Sequence, residues 1–195
     1  VAKQIAEAGK HIYTEKPISN ILADGLRMEA LQKEHNVTMT VGHSARLLKG
    51  IQMMKNNLDD GSLGKLAFIE ANFSNERALE LTPDTWRWYR DRAPGGPLSQ
   101  LAIHMFDILH YLGGDVDGVS SIASKLSPVG AEVDDQSMST VRFKNGVLGY
   151  VGSCWTSPGI FSTRVFAQEG LMHFELDFAS WDEPENLHKT SSLFI

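Results

Sequence analysis

Four polar side chains, Gln100, His104, Asp107 and Tyr111, recur at i, i+4, i+7 and i+11 within an otherwise apolar run from Gly95 to Gly114. At 3.6 residues per turn they line up along one side of a helix. They offer an amide, an imidazole, a carboxylate and a phenol, groups that donate and accept protons, with the imidazole titrating near neutrality. A solvated face would carry Lys, Glu and Arg, so the stripe suits a catalytic wall; it equally suits a cluster of satisfied core polar residues. A second candidate is Glu15-Lys16-Pro17, which follows a strand-like stretch from Lys10 to Thr14. The proline ends the ladder and holds Glu15 and Lys16 at the strand's carboxyl end, the edge where open α/β sheets bind ligands. A solvated Glu–Lys pair is the plainer alternative. A third is Trp86-Arg87-Trp88-Tyr89-Arg90. Rings stack on sugar C–H faces and guanidinium groups fork carboxylates, although a packing loop or subunit contact would use the same residues.

The element that must position the first set is the helix itself. Leu98, Leu101, Met105, Ile108, Leu109 and Leu112 form its apolar stripe, widened by Ala102, Ile103 and Phe106, and a glycine pair bounds each end. Upstream, Val1 to Ala8 reads as a helix stopped by Gly9. Asn20 is expected to cap a helix through His35, on which Ile21, Leu22, Leu26, Ala30 and Leu31 recur, and Val37 to Val41 reads as a strand. Helix, strand, helix, strand is the tail of a doubly wound unit, with a boundary expected near Gly42. No G-x-G-x-x-G turn for a pyrophosphate occurs in the chain. Beyond Gly42, Ile51, Met54 and Leu58 mark a helix ending at Asp59-Asp60-Gly61, and Lys65 to Phe73 a strand. After the polar-striped helix, strands are expected at Val119–Lys125, Gln136–Phe143, Val147–Trp155, Arg164–Ala167 and Met172–Leu176. Asn145-Gly146 and Glu169-Gly170 are expected to turn hairpins with positive φ. Short turns between sequence neighbours imply an antiparallel sheet. Residues 180–195 carry no clear pattern. The fold class is therefore α/β and α+β: residues 1–42 as the remnant of a parallel sheet, and 43–195 as a helix plus an open antiparallel sheet.

With 195 residues, 42% hydrophobic and 22% charged, the chain is globular and long enough to bury a core. A net charge of -6 without any Lys/Arg run argues against a nucleic-acid partner. Cys154 is the only cysteine, which excludes an internal disulfide and a cysteine-based metal site and fits a reducing compartment, so a cytoplasmic location is expected. No apolar run approaches the roughly 18 residues of a membrane span. His104, Asp107 and His110 would supply only part of a metal ligand set from one helix, so no metal is expected and a metal-dependent isomerase or hydrolase ranks last.

The motifs Ala8-Gly9-Lys10-His11-Ile12-Tyr13-Thr14-Glu15-Lys16-Pro17, Val41-Gly42-His43-Ser44-Ala45-Arg46, Gly61-Ser62-Leu63-Gly64, and Gly95-Gly96-Pro97-Leu98 leading to His104 and Asp107 resemble, in order and spacing, those of the Gfo/Idh/MocA oxidoreductases. The resemblance implies a Rossmann domain binding NAD or NADP, then an α/β domain whose open sheet joins subunits into a homo-oligomer. It implies that Glu15, Lys16 and Pro17 meet the cofactor, that Lys16 lies near the reacting hydroxyl, and that His104 accepts its proton. The substrate implied is a sugar, cyclitol or related cyclic diol, with His43, Trp86, Arg87 and Asp107 as candidates at the substrate end. Many members carry Asp four residues before the histidine; Gln100 here can orient a group but supplies no negative charge. The motifs at Val1 and Glu15 fall in the middle of such a nucleotide domain, so the chain is expected to be part of a longer protein. A non-catalytic binding or assembly subunit of the same family is the alternative.

Overall fold

The computed structural model describes residues 1–178, 183, 185, 186 and 191–195, and these divide into two compact units, residues 1–44 and 45–195. The first unit contains α1 (Ala2–Glu7), β1 (Ile12–Thr14), α2 (Leu22–His35) and β2 (Met39–Val41). The two strands pair in parallel with Thr14 opposite Val41. Ala6, Ile12, Leu31 and Val37 form its small core. Asn20 is not the cap of α2. The preceding turn is closed by Ser19, whose hydroxyl accepts from the Ile21 N–H at 3.0 Å, and α2 starts one residue later without a side-chain cap. The helix ends on Asn36 in the left-handed conformation. Of its expected apolar stripe only Leu31 is buried, while Ile21, Leu22 and Leu26 are exposed in this unit.

In the second unit, α3 (Lys49–Asp59) and α4 (Ile103–Gly113) lie with a mainly antiparallel sheet of seven strands among the described residues. The strands are β3 (Leu66–Ser74), β4 (Val116–Ser124), β5 (Gln136–Phe143), β6 (Leu148–Cys154), β7 (Ile160–Ala167), β8 (Leu171–Glu175) and β9 (Ser192–Phe194). Their order is β4-β5-β6-β3-β7-β8-β9. One pairing departs from the expected pattern. β3, formed before α4, inserts between β6 and β7 and runs parallel to β6, because the chain passes through α4 and the β4–β5 hairpin before β6 returns beside it. The strict alternation of β5 buries Ser137, Ser139, Val141 and Phe143 while Met138, Thr140 and Arg142 face away. Ile69, Ala71 and Phe73 of β3, Val165 of β7 and Met172 of β8 form one core with Ile51, Met54, Met105, Ile108 and Leu109 from the helices.

The hairpins also differ in detail. Among the described residues Asn36 is the only non-glycine with positive φ, so at Asn145-Gly146 only Gly146 (φ 87°) is left-handed, and Gly170 takes no positive φ at all. The β7–β8 turn is closed instead by the Ala167 N–H donating to the Gly170 carbonyl at 2.9 Å.

Candidate active site

The helix that carries the polar stripe is not uniform. Residues Leu98–Ala102 form a π-helical turn, and regular α-helix begins at Ile103. Its entry is fixed by Gly96, where φ is +49° and an added Cβ would stand 2.0 Å from the Asp134 carbonyl oxygen. Backbone meets backbone there, and only glycine fits. Pro97 supplies the helical φ of the first turn (-61°). The buried Ser153 hydroxyl, 2.7 Å from the Phe73 carbonyl and 3.3 Å from that of Pro97, ties this entry to the carboxyl end of β3. Bonding from i to i+5 widens the turn, so residues before and after it do not share one 3.6-residue stripe. Gln100, inside the π turn, is 6% exposed, whereas His104, Asp107 and Tyr111 are half-buried.

His104 lies in the first α turn, its ring 5.9 Å from that of Phe73, which in turn meets Phe161 edge-on at 5.1 Å. The imidazole is thereby seated on an aromatic floor at the carboxyl end of β3. Asp107, one turn further, is gripped by Arg46: Nε donates to Oδ2 at 2.8 Å and Nη2 to Oδ1, leaving the carboxylate side chain 9% exposed. Both oxygens are thus engaged by protein. The hydrogen bond that Arg46 donates to Asp107, opposed by burial and reinforced by the carboxylate's charge, holds the guanidinium above its ordinary pKa. Arg46 also lies over the Tyr111 ring at 5.3 Å, with Lys55 over the same ring at 5.8 Å. Arg46 was visible in sequence only as part of a motif. Its partner is 61 residues away, and nothing local to Arg46 announces it.

Trp86 and Arg87 belong to a separate 3₁₀ turn, Trp86–Trp88. The Arg87 guanidinium lies 4.3 Å over the Trp86 ring, and Trp86 is 41% exposed. Burial first, and the charge of Arg77 second, draw the Arg87 pKa below its ordinary value. Neighbouring residues are committed to structure: Arg90 Nε and Nη2 donate to the Glu132 carbonyl at 3.1 and 3.0 Å, and the Tyr89 hydroxyl donates to the Pro83 carbonyl at 2.9 Å.

In the first unit, Glu15, Lys16 and Pro17 follow β1, and Gly42 and His43 follow β2, so all five residues share the carboxyl edge of the parallel pair. The Gly42 N–H donates to the Thr14 carbonyl at 2.8 Å, fixing the two chain exits side by side, and the Lys16–Pro17 peptide is cis. A Cβ at Gly42 would stand 2.7 Å from the Tyr13 hydroxyl, so the Tyr13 side chain lies against the Gly42 backbone at this edge. Lys16 and His43 are thus brought together in one unit, and Gln100, His104 and Asp107 in the other.

Among the described residues no group of three or more His, Cys, Asp or Glu side chains could hold a metal ion, and no helix is long and apolar enough to cross a membrane. His110 turns to Asp115 (3.7 Å), away from any shared use with Asp107.

Residues 51–173 match the model of the GFO/IDH/MocA C-terminal domain. Levoglucosan dehydrogenase of Pseudarthrobacter phenanthrenivorans is 26% identical over 91% of this chain and 52% of its own length. A crystal structure from Desulfitobacterium hafniense, named as an NADPH-dependent oxidoreductase, has a TM-score of 0.92 and 38% identity over 98% of this chain and 55% of the other. Levoglucosan dehydrogenase in complex with NADH and levoglucosan gives a TM-score of 0.83 and 27% identity over 89% of this chain and 50% of that one. The chain spans about half the length of the relatives it matches.

Proposed function

The chain belongs to the GFO/IDH/MocA family, and from that premise we propose that it is part of an NAD- or NADP-dependent dehydrogenase that oxidises a secondary alcohol of a sugar, cyclitol or related cyclic diol. The observation that carries this reading is the imidazole of His104, held on the Phe73 ring by a helix whose own carboxylate, Asp107, is already paired with Arg46. His104 is left as the base of that helix. It takes the hydroxyl proton while hydride leaves the carbon that bears that hydroxyl, a role for which an imidazole nitrogen serves as general base. The ammonium of Lys16 stabilises the developing alkoxide and orients the hydroxyl. Gln100 orients the imidazole or a substrate hydroxyl, and His43, Trp86 and Arg87 shape the substrate end.

The nicotinamide cofactor, when bound, supplies the hydride acceptor. Glu15, Lys16 and Pro17 are assigned to its nicotinamide end, at the carboxyl edge of the parallel strand pair. Asp107 was a substrate candidate by type; its two engaged oxygens favour a supporting role. The single cysteine supports a cytoplasmic location.

The open face of the sheet is assigned to a homo-oligomer contact. Leu148, Phe68, Phe166 and Leu171 stand in register across four strands on that face, with Met138 and Ile122 exposed on neighbouring strands. A monomeric mass in light scattering would refute this assignment. The activity is tested by incubating the full-length protein with cyclic polyols and either cofactor. Alcohol-dependent formation of NADH or NADPH is expected; binding of neither cofactor would favour the non-catalytic subunit instead.

A further inference from the structure

The five residues that lead into β5, 131–135, touch the candidate site in two places. Ala131, Val133 and Asp135 are buried, and the residues between them, Glu132 and Asp134, meet the stretch from Trp88 to Gly96. The Glu132 N–H donates to the Trp88 carbonyl at 2.9 Å, and the Glu132 carbonyl receives Nε and Nη2 of Arg90 at 3.1 and 3.0 Å. The Glu132 side chain completes the clamp, its Oε2 accepting the Arg90 N–H at 3.1 Å. Trp88 closes the 3₁₀ turn that carries Trp86 and Arg87, and its ring stands 3.5 Å from where a Cβ on Gly130 would lie.

Two residues beyond Glu132, the Asp134 carbonyl oxygen occupies the space beside Gly96 that no side chain could share. Gly96 precedes Pro97, where the π turn begins that runs into the helix of His104. The segment that makes both contacts is itself anchored. The buried Asp135 carboxylate accepts the Leu126 and Ser127 N–H groups at 2.8 Å each, and the Asp135 carbonyl accepts the Trp155 N–H at 2.7 Å. One anchored segment thus holds the Trp86–Arg87 turn at Glu132 and the entry of the His104 helix at Asp134.

We propose that Arg90 and Glu132 are positioning residues, a brace that sets the Trp86–Arg87 turn against the entry of the His104 helix and so determines how the substrate ring is held. The brace rests on the reading above for the reaction and for the substrate end. Arg90 and Glu132 are both exposed, where water competes for each hydrogen bond, so their side chains contribute little to global stability. Their effect is local: the planar fork of Arg90 on one carbonyl restricts the freedom of the turn behind it. The turn is assigned to the substrate end and not to the reacting hydroxyl. Misplacing it therefore removes binding that ground state and transition state share, which shows in KM and not in kcat.

The test is steady-state oxidation of myo-inositol and D-glucose by the full-length protein, with amide hydrogen exchange of residues 86–90 followed in parallel. In Arg90→Ala, KM is expected to rise at least about fivefold, with kcat and the NADH Kd within about twofold of the parent. Arg90→Lys, which has a single point donor in place of the fork, should fall between the two. Glu132→Gln keeps an acceptor oxygen for the Arg90 N–H and should keep the parent KM. Exchange of residues 86–90 should quicken at least about fivefold in Arg90→Ala. A residue needed only for folding would lower the active fraction, and with it kcat, while leaving KM in place. That pattern, or an unchanged KM in Arg90→Ala, would overturn the brace. Equal impairment of Glu132→Gln and Arg90→Ala would assign the effect to charge and overturn it as well. If the parent oxidises neither probe, the dehydrogenase reading falls and the exchange rates decide the brace: quickened in Arg90→Ala they support it, unchanged they refute it.

Discussion

Arg46 and Arg87 are the same residue type in similar settings. Each is half-buried, and each lies over an aromatic ring, Tyr111 at 5.3 Å in one case and Trp86 at 4.3 Å in the other. What differs is the group at the rim. Arg46 meets Asp107 and its pKa is held up by that hydrogen bond; Arg87 has no carboxylate at its rim among the described residues, and burial first, with the charge of Arg77 second, draws its pKa down. The same side chain thus serves in one place to lock the helix that carries His104, and in the other packs on an indole without a carboxylate partner among the described residues.

The contrast can be broken or sharpened by substitution. Asp107→Asn should cause the largest loss of stability, about 1–3 kcal/mol by urea denaturation. That is below the range for a fully buried pair because the Arg46 side chain is 36% exposed and water screens what is left. Arg46→Lys keeps the charge but loses the fork, and a smaller loss of about 1 kcal/mol is expected. Arg87→Gln removes a charge whose partner is the Trp86 ring and not a carboxylate, so a loss of no more than about 1 kcal/mol is expected. Should Arg87→Gln destabilise as much as Asp107→Asn, the two arginines would both be structural and the distinction would fall.

Parts of this picture were legible in the residues. The alternation from Gln136 to Phe143 specified a half-buried strand, and the apolar recurrence from Leu98 to Leu112 specified a helix against the core, because both signals are local and periodic. That Gln100, His104 and Asp107 share one helix followed from spacing alone. The π turn did not, since a 3.6-residue pattern carries no sign of i to i+5 bonding, and the close approach of Gly96 to the Asp134 carbonyl at its entry spans 38 residues. Nor did the parallel pairing of β3 with β6, which no turn between neighbours dictates. The engagement of Asp107 was hidden for the same reason: its type suggested substrate, and only the fold brings Arg46 to it. Ile21, Leu22 and Leu26 show the opposite limit, for helical periodicity identifies an apolar face without saying what covers it.

The proposed role of His104 as the base in alcohol oxidation is tested most directly by one comparison. In the full-length protein, His104→Ala should be compared with the parent for single-turnover oxidation of a polyol and, separately, for NADH binding by fluorescence. The expected result is a rate lowered by about 10²–10⁴-fold with a cofactor Kd within about twofold of the parent. An unchanged rate of oxidation would contradict the assignment and with it the mechanism built on this helix.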